Sequence, residues 1–211
     1  MATRGRPRSF DREEALRRAM YVFWERGYDG TSIADLLRAT NLNPPSLYAA
    51  FGSKEQLFRE AVGRYGRVEG AAGMTALAES PTAREAIEGM LRRNADHYAN
   101  PESPSACMVV LGATVGSPAS AGARSFVSAL RRESQDLFQH RLEQGIADGD
   151  VRPRCDTAGL AGYFTAVLQG LSIQALDGAG PRELHAVIDR SMRVWEAEAG
   201  LPSGCPDQRP G

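Results

Sequence analysis

Apolar residues recur at helical spacing along most of the chain, beginning with Ala15, Ala19, Val22 and Phe23, and Trp24 widens this first stripe. Asp11 is placed to cap that helix, and Glu14 three residues later completes a capping-box-like pattern. Gly27 is suited to ending it in a left-handed conformation. Thr31 is expected to cap a short second helix carrying Ile33, Leu36 and Leu37 on one side. The run Thr40-Asn41-Leu42-Asn43 breaks the pattern, with Asn41 able to take the left-handed turn. Asn43 then caps a third helix whose first two positions are Pro44 and Pro45. Both prolines are tolerated there because those backbone N–H groups have no intrahelical partner. Leu47 and Phe51 point back to a small core, Gly52 stops the helix, and Ser53 with Gln56 opens a fourth. Two short helices joined by a four-residue turn behind a longer one predict helix-turn-helix architecture. A generic three-helix bundle would share the same periodicity.

The rest also reads as helix after helix. Ser80-Pro81 opens a segment through about Asn100, with Ala86, Ile87, Met90, Leu91 and Tyr98 on its apolar side. Pro101 and Pro104 interrupt it before Cys107-Met108-Val109-Val110-Leu111, a stretch expected to be buried. A long helix is predicted from about Ala119 to Ala147, carrying Phe126, Val127, Leu130, Leu137, Phe138 and Leu142. Asp148-Gly149-Asp150 and Pro153 mark its exit. Asp156 caps a helix with Leu160, Tyr163, Phe164, Val167, Leu168 and Leu171. Gly178 to Pro181 separates it from a last helix bearing Leu184, Val187, Ile188 and Trp195, and a frayed tail is expected from Gly200 onward. With no alternating strand pattern and no repeat, the expected fold is all-α, a three-helix helix-turn-helix head on a larger helical bundle. The head is placed at residues 1–55, with an arm at 1–10 and a linking helix at about 53–70; the body spans 56–200 and the tail 201–211.

Composition narrows the class. Hydrophobic residues make up 42% of the 211 positions and charged residues 24%, enough to bury a real core. Aromatics are only 7%, so Ala, Leu, Val and Ile must fill most of it. No apolar run reaches membrane-spanning length and no signal-peptide core stands at the N-terminus, which predicts a soluble, cytoplasmic protein without a membrane partner. Cys107, Cys155 and Cys205 are scattered, with neither a disulfide framework nor zinc-type spacing. The net charge of −1 hides an asymmetry: residues 1–65 hold 11 Arg or Lys and eight Asp or Glu. Arg4, Arg6 and Arg8 lie on a short arm free of acidic residues, fitted either to attract phosphates or to be a solvated tail. Lys54 is the only lysine.

Catalytic motifs are absent: there is no G-x-S-x-G elbow, no G-x-x-x-x-G-K-[ST] and no G-x-G-x-x-G. Asp136, His140 and Glu143 can share one helical face, but a metal site would need further ligands from another helix, and none is evident. No cofactor or metal is expected. His97 and His185 read as ordinary polar-face residues. Cys107 has apolar neighbours and no basic residue close in sequence, the pattern of a small buried residue with a raised thiol pKa; a thiol-based redox or electrophile sensor is the alternative. An interaction module that uses the head only as a scaffold is a further alternative.

From Gly5 to Tyr65 the chain resembles the DNA-binding head of the TetR family almost throughout. Three pieces carry the resemblance jointly: F-x-x-x-G-Y-x-x-T-S-I from Phe23, S-L-Y-x-x-F from Ser46, and S-K-E-x-L-F from Ser53. The body is similar to the family only in length, helix count and its Cys-Met-Val-Val-Leu segment. The resemblance implies that Asn43 to Phe51 form the recognition helix and that Thr31, Tyr48 and Lys54 approach backbone phosphates. Helix N-termini favour such contacts through free N–H groups and their dipole. Pro44-Pro45 departs from the Lys-Gly or Arg-Gly often found there. Ala49 and Ala50 also flank Asn43 and Ser46, so thymine methyls and DNA shape are expected to contribute more than bidentate hydrogen bonds. The Arg4, Arg6 and Arg8 arm suits the minor groove or flanking backbone.

The resemblance further implies a repressor on double-stranded, palindromic operator DNA, released by a small-molecule effector. Large semi-apolar residues on different body helices are the pocket candidates: Met90, Tyr98, Cys107, Met108, Phe126, Phe138, Tyr163 and Phe164. A homodimer is expected through the last two helices, with Leu160, Val167, Leu168 and Leu171 in one stripe and Leu184, Val187, Ile188 and Trp195 in the other. Gly162 and Gly170 are placed to permit close helix approach. The same stripes would otherwise bury against the chain's own body.

Overall fold

The computed structural model describes residues 10–114 and 116–201 of the chain, all helix, turn and loop. Arg4, Arg6, Arg8, Cys205 and nearly all of the expected tail lie outside the described residues. Helix α1 runs Arg12–Gly30, capped by the Asp11 carboxylate, which accepts from the Glu13 and Glu14 N–H groups. Gly27 kinks the helix rather than ending it: at φ 68° and ψ 177° it leaves helical geometry without taking the left-handed helical conformation expected from sequence, and the helix resumes to Gly30.

Helix α2 (Ile33–Thr40) and helix α3 (Pro44–Phe51) follow, joined through left-handed Asn41. The cap of α2 corrects the sequence reading, because it is Ser32 and not Thr31. The Ser32 hydroxyl accepts from the Asp35 N–H while the Asp35 carboxylate accepts from the Ser32 N–H. Thr31 ends the preceding turn instead: it is buried, and its hydroxyl donates to the Gly27 carbonyl at 2.7 Å. Helix α4 (Lys54–Val68) starts at Ser53, which accepts from the Gln56 N–H.

The body comprises α5 (Ala71–Glu79), α6 (Ala83–Tyr98), the single turn α7 (Met108–Leu111), α8 (Ala121–Asp148), α9 (Thr157–Leu176) and α10 (Pro181–Glu198). Sequence periodicity missed α5, whose AAGMTALAE stretch is mostly small residues and draws no clear stripe. Close packing on α6 holds it. A Cβ on Gly73 would sit 2.2 Å from Asn94 Nδ2, so any side chain there would force Asn94 to move. Helix α6 begins at a Thr82–Glu85 capping box, just beyond the Ser80-Pro81 start read from sequence.

Two cores result. The head core gathers Leu16, Met20, Phe23, Leu36, Leu47 and Phe58, and also takes in Met108, Ala113, Ala123 and Val127 from the far side of the chain. Phe58 meets Phe23 and Tyr28 edge-on, with centroids 5.2 and 5.1 Å apart. The body core joins α6, α8, α9 and α10 around Ile87, Leu91, Phe138, Leu142, Phe164 and Trp195. Cys107 packs against both.

This second core corrects the expected dimer stripes. Leu160, Leu168, Leu171, Leu184, Ile188 and Trp195 are buried within the protomer, and Val167 and Val187 pack against the same cluster. The broadest apolar faces of α9 and α10 are consumed by α6 and α8 before any partner arrives. The large apolar side chains that α9 leaves exposed are Tyr163, Ile173 and Leu176.

Candidate DNA-binding surface and ligand cavity

Helix α3 is amphipathic at short range. Leu47 and Phe51 are buried beneath it, while Asn43, Pro44, Pro45, Tyr48 and Ala49 are exposed. The Asn43 carboxamide oxygen accepts from the Ser46 N–H at 2.9 Å, which caps the helix. Tyr48 is 46% exposed, and its hydroxyl has no partner among the described residues.

Lys54 stands at the first position of α4, with its ammonium 4.2 Å from the Tyr28 ring centroid. Partial burial pulls its pKa down, opposed by the Asp29 carboxylate. The lysine is thus held beside the head rather than free in solvent. Arg12, which sequence reading did not single out, fixes the end of α3: its guanidinium donates to the Ala50 carbonyl at 3.2 Å, pairs with Glu60 at 2.7 Å, and lies over the Phe51 ring. Thr31 does not join this surface, because its side chain is turned inward and its hydroxyl is already bonded.

Behind the head lies a cavity of about 380 Å³, walled by α4, α6, α7, α8 and α9. Of the eight candidate pocket residues, Met90, Tyr98, Cys107 and Phe126 line it. The other four do not. Met108 faces the head core, Phe138 and Phe164 are buried in the body core, and Tyr163 is on the outer face of α9. Leu168, expected at an interface, lines the cavity instead. Cys107, expected to be buried, is partly buried at this wall, with its N–H donating to Ser172 Oγ at 2.8 Å.

Sequence reading missed Val62 and Tyr65 on α4, Leu130, Arg131, Ser134 and Leu137 on α8, and Thr165 on α9. The α8 group recurs at i, i+4 and i+7 and was legible as one face, but not as a face turned to empty space. Burial pushes the Tyr65 and Tyr98 hydroxyls well above the usual tyrosine range, with Cys107 adding to the effect, so both stay neutral donors. Arg131 donates to the Val109 carbonyl at 2.9 Å. The Thr165 hydroxyl is buried without a partner among the described residues.

The segment Ala106–Gly112 forms one cavity wall and also grips the head. Its Ala106 carbonyl accepts from Trp24 Nε1 at 2.9 Å, and its Gly112 carbonyl accepts from the Tyr28 N–H at 2.7 Å. Ala106 itself sits at φ 75°, a left-handed conformation rare outside glycine.

Residues 15–61 match the family model for bacterial regulatory proteins of the tetR family. The HTH-type transcriptional repressor ComR of Escherichia coli K12 is 33% identical over 194 residues, 92% of each chain. The chain belongs to the TetR family. A second relative, the HTH-type transcriptional repressor BdcR of the same organism, is 30% identical and covers 86% of this chain and 87% of its own. Among solved structures, cysteine variants of the TetR family transcriptional regulator CifR, complexed with 26-bp double-strand operator DNA, are 47% identical. They superpose with a TM-score of 0.87, covering 90% of this chain and all of that one. As a TetR-family member this chain is a transcriptional regulator, built as a helix-turn-helix head on a helical body. The family is one of regulators and not of enzymes. No helix among the described residues is long and apolar enough to cross a membrane.

Proposed function

We propose that this TetR-family regulator is a cytoplasmic homodimeric repressor that occupies a palindromic operator and leaves it when a small molecule fills the cavity. It acts by binding and carries out no catalysis. Tyr48 and Lys54 contact backbone phosphates, Asn43 and Ser46 face base edges, and Pro44 and Pro45 meet thymine methyls. The Arg4, Arg6 and Arg8 arm reaches flanking DNA. Residues 1–55 serve as the head, the linking helix carries motion from it, and residues 56–200 bind effector and partner.

One observation carries the reading. Helix α4 has Lys54 at its first turn, directly after α3, and Val62 and Tyr65 further along it, in the cavity wall. A helix is stiff on this scale, so an occupant that displaces the wall at Tyr65 tilts the end that holds Lys54. In a dimer, a small tilt changes the separation of two recognition helices that must read half-sites about 34–36 Å apart. The two Escherichia coli relatives named as repressors support this direction of control, and the operator-bound CifR complex supports the DNA partner.

The decisive experiment pairs gel shift on the chain's own upstream DNA with a thermal-shift ligand screen. A compound that raises the melting temperature should release the DNA. Deletion of the gene should raise expression of adjacent genes; a fall would make the protein an activator. Stabilising compounds that leave DNA binding unchanged would remove the effector reading.

A further inference from the structure

The cavity's lining constrains what can fill it. At about 380 Å³ it stands toward the small end of the range for drug-sized ligands, about 300–1,000 Å³. Val62, Met90, Leu130, Leu137 and Leu168 give it an apolar interior. A mostly apolar ligand is therefore required.

The polar groups on the wall are unevenly matched. Arg131 uses one N–H on the Val109 carbonyl, which fixes the guanidinium at the α7 end, and it has no carboxylate partner among the described residues. Glu133 lies on the same rim but is exposed and out of ion-pair reach of Arg131. Tyr98 offers a neutral hydroxyl, and Thr165, more than nine-tenths buried, has a hydroxyl with no partner among the described residues. Arg67, the other cation on the lining, is exposed, so the unmet capacity is mainly donor capacity, led by the partly buried Arg131 guanidinium. A carboxylate is acceptor-only and pairs with guanidinium in bidentate geometry; an amine would add like charge, and an alcohol would leave the guanidinium uncompensated.

We infer that the effector is a small apolar monocarboxylic acid, its carboxylate held by Arg131 and its hydrocarbon part by the α8 and α9 wall of the cavity. This rests on the effector reading above, but the two fail separately under a single set of probes. The full chain is titrated with octanoate, octan-1-ol, octanamide and octylamine, following binding by calorimetry and DNA release by gel shift.

Octanoate should bind the unmodified protein at least about tenfold more tightly than the alcohol or amide, and octylamine more weakly still. Arg131→Gln should bring octanoate down to the alcohol's affinity without changing the alcohol's, and Arg131→Lys should keep the preference for the acid. Equal or tighter binding of a neutral or amine probe to the unmodified protein would overturn the carboxylate assignment, as would an acid preference that survives Arg131→Gln. If the alcohol alone binds and releases DNA, the effector reading stands and the carboxylate inference falls. If no probe binds and DNA occupancy ignores all four, both fall. The four-probe comparison needs no variant, so an Arg131→Gln protein that does not fold leaves the inference testable.

Discussion

The Tyr28 N–H donates to the Gly112 carbonyl at 2.7 Å, and this bond stitches the end of α1 in the head to the turn beyond α7 at the cavity wall. Gly27 makes the approach possible. It lies at φ 68° and ψ 177°, a region essentially restricted to glycine, and a Cβ there would already be 3.3 Å from the Gly112 oxygen. Trp24 adds a second stitch one turn earlier, to the Ala106 carbonyl. Head and cavity therefore share a joint besides α4.

Gly27→Ala should cost about 1–3 kcal/mol in urea unfolding. It should also weaken the link between effector and DNA, so that a saturating effector releases less operator than in the unmodified protein. Unchanged stability would mean that the backbone relaxes there without strain, and would remove this joint from the coupling.

Tyr48→Phe and Lys54→Ala should each weaken binding to operator and to random DNA alike, lowering the salt slope by about one unit per lost phosphate contact. Tyr48→Phe removes only an exposed hydroxyl, so the head should melt as before. Lys54→Ala also removes the contact over the Tyr28 ring, about 0.5–1 kcal/mol, and a matching loss of stability is expected. A salt slope that does not move in either variant would take that residue off the phosphate backbone.

Short-range chemistry made α3 legible: the Asn43 cap, the two prolines and the buried pair Leu47 and Phe51 all follow from residue type and spacing. The same logic misplaced the cap of α2 by one residue, since Thr31 and Ser32 both have a hydroxyl and only the fold shows which one is turned inward. It also assigned apolar stripes without knowing what they pack against. Phe126 and Phe138 lie on one helix, yet one lines a cavity and the other fills a core. Leu171 and Trp195 looked like interface residues because periodicity records that a face is apolar, not which neighbour covers it. Arg131 carried no signal at all, because a cation facing an apolar cavity reads in sequence like any solvated arginine.

The α2 cap sets a pH dependence. Asp35 is pulled down to about 2, first by its hydrogen bonds to Ser32 and then by Arg26 and Arg38, and Glu14 is held at about 2 by Arg17 and Arg18. A carboxylate depressed in the folded state stabilises fully above its unfolded value, near 4, and loses that contribution as pH falls toward the folded value. Head stability should therefore be flat in this respect from pH 7 to 5 and decline below about pH 4. Asp35→Asn should be less stable at neutral pH and should show a shallower decline in acid, read from urea midpoints across the range. Ser32→Ala should cost about 1 kcal/mol and also flatten the acid limb, because it removes the hydroxyl that holds Asp35 down.

The dimer surface is the last expectation, and burial of the expected stripes within the protomer leaves the outer face of α9 as the candidate surface. Leu171 is fully buried in the protomer, so Leu171→Glu should unfold the body rather than separate two copies. The outer face holds Tyr163, Ala166, Gly170 and Ile173, spaced at i, i+3, i+7 and i+10 and therefore on one side of the helix. Tyr163 is 36% exposed and Ile173 47%, large apolar side chains that water covers poorly. Between them a Cβ added to Gly170 would meet nothing within 4 Å, which leaves room for a second helix to approach closely. A symmetric pairing of this face across a two-fold axis would bury both aromatic and aliphatic ends at once. Ala166→Glu and Gly170→Glu should thus give folded monomers, shown by light scattering at micromolar concentration together with an unchanged helical circular dichroism spectrum. Both should lose protection of a palindromic operator, because one recognition helix cannot span two half-sites. If both variants remain dimeric while folded, the partner lies on another face; if a monomeric variant still protects the whole palindrome, two copies are not what the operator reads.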